Sequence, residues 1–138
     1  MKIIRTTNLI TLNNAKTKVL LVKTSLGDDH TQKWTFIGQS IKKDENVEDI
    51  TSKLSFNDLG LKTEKLIKFN TYETKTKNAV IKSHYYLGEI DDNYTSIKLN
   101  KKKYKSAEWH TLNEEIFFLD FLHSEKDILT DLMEKENK

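Results

Sequence analysis

Trp34-Thr35-Phe36-Ile37-Gly38-Gln39-Ser40-Ile41-Lys42-Lys43-Asp44-Glu45-Asn46 runs into Val47-Glu48-Asp49-Ile50-Thr51-Ser52-Lys53-Leu54-Ser55-Phe56-Asn57-Asp58 and closes on Leu59-Gly60-Leu61. Trp34 to Ile37 reads as a short aromatic strand that Gly38 ends. An acidic turn follows, and the spacing predicts a helix over 46–58. Asn46 or Asp44 caps it, and Glu48 and Asp49 favour its positive end. Val47, Ile50 and Leu54, at i, i+3 and i+7, are expected to pack toward a sheet. Gly60 supplies the C-cap, because glycine alone takes the left-handed conformation cheaply.

Outward from that stretch, residues 2–12 alternate weakly around Ile4, Leu9, Ile10 and Leu12 and read as a first strand, with Asn13-Asn14 as a hairpin turn. Lys18 to Thr24 is a short apolar strand buried on both faces. Ser25 to Lys33 is a polar loop. Leu66 to Thr74 and Ala79 to Ile90 read as an antiparallel pair turning at Lys75-Thr76-Lys77-Asn78. Asp91 to Asn100 is polar, with room for a short strand at Tyr94 to Leu99, and Lys101-Lys102-Lys103 is a basic run. Ser106 to Thr111 is a strand carrying Trp109. Leu112 to Glu115 opens a helix with Ile116, Phe117, Leu119 and Phe121. Ser124 caps a last helix with the stripe Ile128, Leu129, Leu132 and Met133. The order of strands and helices predicts an α+β fold, an α/β/α sandwich of a mixed sheet flanked by helices.

At 138 residues, 32% of them charged, with net charge +2, the chain suits one domain of ordinary surface, residues 1–138. Arg5 is the only arginine. Cysteine is absent, which excludes disulfides, thiolate metal sites and cysteine nucleophiles and suits a cytoplasmic protein. Met-Lys-Ile-Ile-Arg at the start does not read as a signal peptide. The longest apolar run, Val19-Leu20-Leu21-Val22, is far too short to span a membrane.

In order and spacing the opening stretch resembles the Nudix box, Trp-x-Phe-Pro-Gly-Gly, an acidic loop ending in Glu, seven residues, then Arg-Glu-U-x-Glu-Glu-x-Gly-U with U apolar. The box region here is 38–61, and the C-terminal helices fall at about 113–136. Phe36-Ile37-Gly38-Gln39 stands at Phe-Pro-Gly-Gly, Glu45 at the loop Glu, Lys53-Leu54 at Arg-Glu, Asn57-Asp58 at Glu-Glu, and Gly60-Leu61 matches. Glu108-Trp109 to Glu115 resembles the family's closing segment, so the likeness spans roughly residues 5–122. It implies a hydrolase of a nucleoside diphosphate linked to another group, with Mg²⁺ or Mn²⁺ as cofactor.

The chemistry of the box departs from that pattern at Gln39, Lys53, Leu54 and Asn57. Phosphoanhydride hydrolysis needs charge neutralised on phosphate oxygens and water activated, and Mg²⁺ does both through carboxylate ligands. Helical spacing puts 54, 57 and 58 on one face. There the family places three Glu and this chain places Leu54, Asn57 and Asp58.

The remaining candidates each carry two readings. Asp58 is a retained metal ligand or a solvated acid near a helix end, and Glu45 a residual catalytic residue or an acid in a turn. Asp44 and Glu48 are substitute carboxylates or helix-start acids, and Glu89 and Glu108 are late metal ligands or exposed strand-end acids. Trp34, Tyr85 and Trp109 stack a base or fill the core, and the run 101–103 binds phosphates or is a solvated loop. His30, His84, His110 and His123 lack metal-ligand spacing. Two functional classes follow. One is a pyrophosphohydrolase of weak or atypical activity. The other is a non-catalytic module, with no cofactor, that binds a nucleotide, a nucleotide-sugar-like molecule or another ligand, or serves a regulatory role. Nucleic acid and membrane are disfavoured as partners, and the oligomeric state stays open.

Overall fold

A computed structural model describes residues 2–24, 33–91 and 96–136. The strands are β1 (Lys2–Asn13), β2 (Lys18–Thr24), β3 (Trp34–Thr35), β4 (Ile37–Ile41), β5 (Lys65–Lys75), β6 (Ala79–Ile90) and β7 (Tyr104–Thr111). Helix α1 is Val47–Leu59, a 3-10 turn covers Glu114–Phe118, and helix α2 is Glu125–Glu136. The expected loop at 25–33 lies outside the described residues except for Lys33; of the expected strand at 94–99, residues 96–99 are described and form no strand.

The sheet is mixed, in the order β3-β2-β1-β6-β5, with β4 paired to β1 and β7 to β2. β1 and β6 run parallel from Lys2↔Ala79 to Asn13↔Ile90. The other edge of β1 is shared: Arg5 to Leu9 pair with β4, and Thr11 and Leu12 pair with β2. Gly38 therefore sits inside a strand, opposite Asn8, and does not end one as the sequence suggested. The exchange of partners breaks the expected strand 34–37 at Phe36. Space also requires glycine at 38, since a Cβ there would fall 2.8 Å from the Thr7 carbonyl oxygen.

Successive strand residues point to opposite faces. Ile10, Leu12, Val19 and Leu21 therefore join Tyr85 and the α2 residues Ile128, Leu129 and Leu132 in one core cluster. Leu9, Leu20, Val22 and Ile37 join Leu54 and Leu59 of α1 in the other. The run Val19 to Val22 is apolar throughout because it feeds both.

Helix α1 begins where expected. Asn46 Oδ1 accepts the N–H of Asp49 at 3.0 Å. It ends on Gly60 at φ 70°, whose N–H reaches the Phe56 carbonyl at 2.9 Å while Leu61 N–H reaches Ser55 at 3.2 Å. Its buried face differs from the expected one. Thr51, Leu54, Ser55, Asp58 and Leu59 are buried, whereas Val47 and Ile50 are only half-buried. At about 100° per residue, Ile50 and Asn57 lie about 100° and 120° from Thr51, the middle of the buried stripe. The C-terminal segment also differs. Glu114–Phe118 is a single 3-10 turn and not a full helix, capped by Asn113 Oδ1 on the Glu115 N–H at 3.0 Å.

Candidate functional site

The C-terminal end of α1 carries a buried polar cluster. Asp58, with its side chain 2% exposed, pairs with Lys103, whose Nζ lies 2.9 Å from Asp58 Oδ2. The same Nζ donates to the Gly38 carbonyl at 3.0 Å. Tyr104 completes the group. Its hydroxyl accepts the Gly38 N–H at 3.1 Å and lies 3.3 Å from both the Gly38 carbonyl and Asp58 Oδ2. Burial pushes the Tyr104 phenol well above its usual range, a hydrogen bond with Gly38 works against this, and the Asp58 charge adds to it, so the hydroxyl stays protonated.

Backbone contacts hold Lys103 in place. Lys98 N–H binds the Leu59 carbonyl at 2.9 Å and Asn100 N–H binds the Asp58 carbonyl at 2.8 Å. These two bonds dock the segment 98–100 onto the end of α1 and satisfy carbonyls that a helix terminus leaves unpaired. The Asn100 carbonyl in turn accepts the N–H groups of Lys103 and Tyr104, at 3.1 and 2.9 Å. A cavity of about 440 Å³ adjoins this cluster. Its wall includes Asn8, Phe36, Gly38, Lys103, Tyr104 and His123. Leu122 and His123 reach it because Trp34 binds residues 120 and 122 through backbone bonds of 2.8 and 2.9 Å.

The other sequence candidates are dispersed. Glu45 is half-buried, and its Oε1 accepts the Lys42 N–H at 2.8 Å, closing the turn before α1. Asp44 and Glu48 are exposed. Glu89 is 8% exposed and sits 3.9 Å from Lys65 Nζ, while Glu108 is exposed on β7. Gln39 is half-buried in β4, and Lys53 and Asn57 are exposed. Leu54 is fully buried in the core. Positions 54, 57 and 58 share one side of α1 at about 100° per residue but differ in burial: 54 and 58 are buried and 57 is exposed. Trp34 and Tyr85 are buried, and neither they nor Trp109 lines the cavity. Tyr104 was not foreseen from the sequence, and Lys103 was foreseen only as one of the basic run 101–103. Nothing in Lys101-Lys102-Lys103-Tyr104 distinguishes the third lysine, and only the docking of 98–100 selects it.

The family implied by the resemblance would place Mg²⁺ or Mn²⁺ here, and the residues present do not fit it. Among the described residues no three of Asp, Glu, His and Cys gather to hold a metal. The buried carboxylate that remains is engaged by an ammonium.

A mixed sheet between helices, with a cleft where β1 exchanges partners, defines an α/β/α sandwich. This sandwich is the Nudix fold, as solved structures show. The solution structure of the E. coli ORF135 protein matches with TM-score 0.78 at 16% identity, over 96% of this chain and 90% of that one. The MutT protein from Methanosarcina mazei matches with TM-score 0.76 at 16% identity, over 99% and 96%. A C. elegans Ap4A hydrolase binary complex matches with TM-score 0.73 at 14% identity, over 97% and 98%. No sequence-family model matches the chain, and no curated protein does. Among the described residues no helix is long and apolar enough to cross a membrane.

Proposed function

We propose that residues 1–138 form one Nudix-like domain whose cleft binds a nucleotide or nucleotide-sugar-like small molecule, with little or no Mg²⁺-dependent hydrolysis. One observation carries this reading: of the three positions where the family sets its helix acids, only Asp58 keeps a carboxylate, while Leu54 is committed to the core and Asn57 is exposed. A single carboxylate is a poor ligand set for a hard divalent cation. The cleft itself remains. Its volume of about 440 Å³ suits a small ligand, and its wall combines the aromatic rings of Phe36 and Tyr104 with the cation of Lys103. The similarity to an Ap4A hydrolase complex and to MutT proteins points to nucleotides as the first compounds to try.

The test is paired. Nucleoside triphosphates, sugar nucleotides and dinucleoside polyphosphates are incubated with the protein in Mg²⁺ and in Mn²⁺, and product is assayed while melting shifts are measured. Binding to the native state alone raises stability by about 2.7 kcal/mol when ligand stands a hundredfold above Kd. The expected result is a melting shift with one or a few compounds and negligible turnover. Rapid turnover that vanishes in Asp58→Asn would restore the hydrolase; no shift with any compound would remove the nucleotide.

A further inference from the structure

Two oxygens of the kind that hold hard cations converge at the end of α1: the Asp58 carboxylate and the Gly38 main-chain carbonyl. Both are bound by one atom, the Nζ of Lys103, at 2.9 and 3.0 Å. We propose that the ammonium of Lys103 takes the place of a divalent cation in this cleft, and that anionic groups are held against it without metal. The ligand class rests on the reading above; the displacement of metal does not.

Three facts distinguish this lysine from a surface ion pair. Its partner carboxylate is 2% exposed, so the pair is far more buried than a surface ion pair on the side of Asp58. Its backbone is bonded to Asn100, which is itself bonded to Asp58, so the stem starts from the helix it serves. It also lines the cavity. An ammonium has three donors, and Gly38 and Asp58 engage two, which leaves one for a ligand oxygen. A Mg²⁺ ion must approach its oxygens to about 2.1 Å and would meet the ammonium on the same two atoms. Like charge and lack of room both oppose it.

Mn²⁺ serves as the probe for displacement. Crystals of the intact protein and of Lys103→Met are soaked in Mn²⁺ at a concentration of tens of millimolar, and anomalous density is sought at Asp58. A peak in the variant and none in the intact protein is expected. A peak in both, or in neither, overturns the proposal. A second measurement uses the intact protein alone and stands even where Lys103→Met fails to fold: ADP affinity by calorimetry in EDTA and in Mg²⁺. Equal affinities within about twofold are expected, and a tenfold or greater dependence on Mg²⁺ overturns the proposal. ADP binding in neither condition counts against the nucleotide reading, while the Mn²⁺ soak still decides the role of Lys103.

Discussion

Helix α2 meets the sheet with Ile128, Leu129 and Leu132, and helix α1 meets it with Thr51, Leu54, Ser55, Asp58 and Leu59. On the α2 face the contact is burial of apolar surface, which has no direction and needs only volume and fit. The buried carboxylate Glu125 of α2 is 1% exposed, and it accepts the Thr35 hydroxyl at 2.8 Å and the His123 N–H at 2.6 Å. On the α1 face each polar side chain finds a partner from elsewhere in the chain. Thr51 meets Thr7, Ser55 meets Thr63, and Asp58 meets Lys103 and Tyr104. Such a face is directional, because a buried polar group left unpaired costs more than its bond contributes. The difference teaches that α1 is oriented by three buried pairs and α2 mainly by packing, with the polar contacts of Glu125 and of Asp131 with Tyr72 beside it, and that the candidate site belongs to the α1 side.

The sharpest way to break the comparison is to treat the α1 face as if it tolerated any polar residue. Leu54→Glu places an acid where no partner waits, and it should destabilise by more than about 4 kcal/mol in urea unfolding. A loss below about 1 kcal/mol would mean that position 54 opens to solvent. On the opposite face, Leu129→Ala should cost about 3 kcal/mol, while Leu129→Met should cost less than about 1.5 kcal/mol because volume is kept. Equal costs would show that the α2 face is directional too. Thr51→Val should cost about 1–2 kcal/mol by leaving the Thr7 hydroxyl unpaired, and adding Thr7→Val should recover part of that loss. Strict additivity in the four-variant cycle would refute pairwise orientation.

The smallest expected effect is a pH dependence. Burial lowers the pKa of His84, helped by Lys68, Arg5 and Lys82; burial also lowers that of His110, which Glu108 opposes. A depressed folded pKa means that the unfolded chain takes the proton first. The stabilisation is therefore present above the ordinary histidine value of 6.5 and is lost as pH falls through the lower folded value. The melting temperature should fall between about pH 7 and pH 5. His110→Phe keeps a ring beside Trp34, now 4.8 Å from the histidine edge-on, and should make that fall shallower. An unchanged slope would remove His110 from the account.

The frame was legible because local chemistry writes it. Asn46 and Gly60 mark the ends of α1, the apolar run 19–22 marks a strand buried on both sides, and 128–133 shows its stripe openly. The buried face of α1 was not legible, since Thr51, Ser55 and Asp58 look like surface residues until their partners are known. Apolar spacing pointed to Ile50, which is only half-buried. Gly38 read as a strand end, because a glycine inside a strand is recognised only when the neighbouring backbone is in view.

By itself the sequence determined the order of strands and helices and the position and caps of α1, because each is a local property of residue type and spacing. Only the tertiary structure decided which of three adjacent lysines meets Asp58. Lys103 meets Gly38 from 65 positions away and Asp58 from 45, through a segment docked on the end of α1. No local pattern encodes such a meeting, because it depends on where the backbone of one element leaves the polar groups of another.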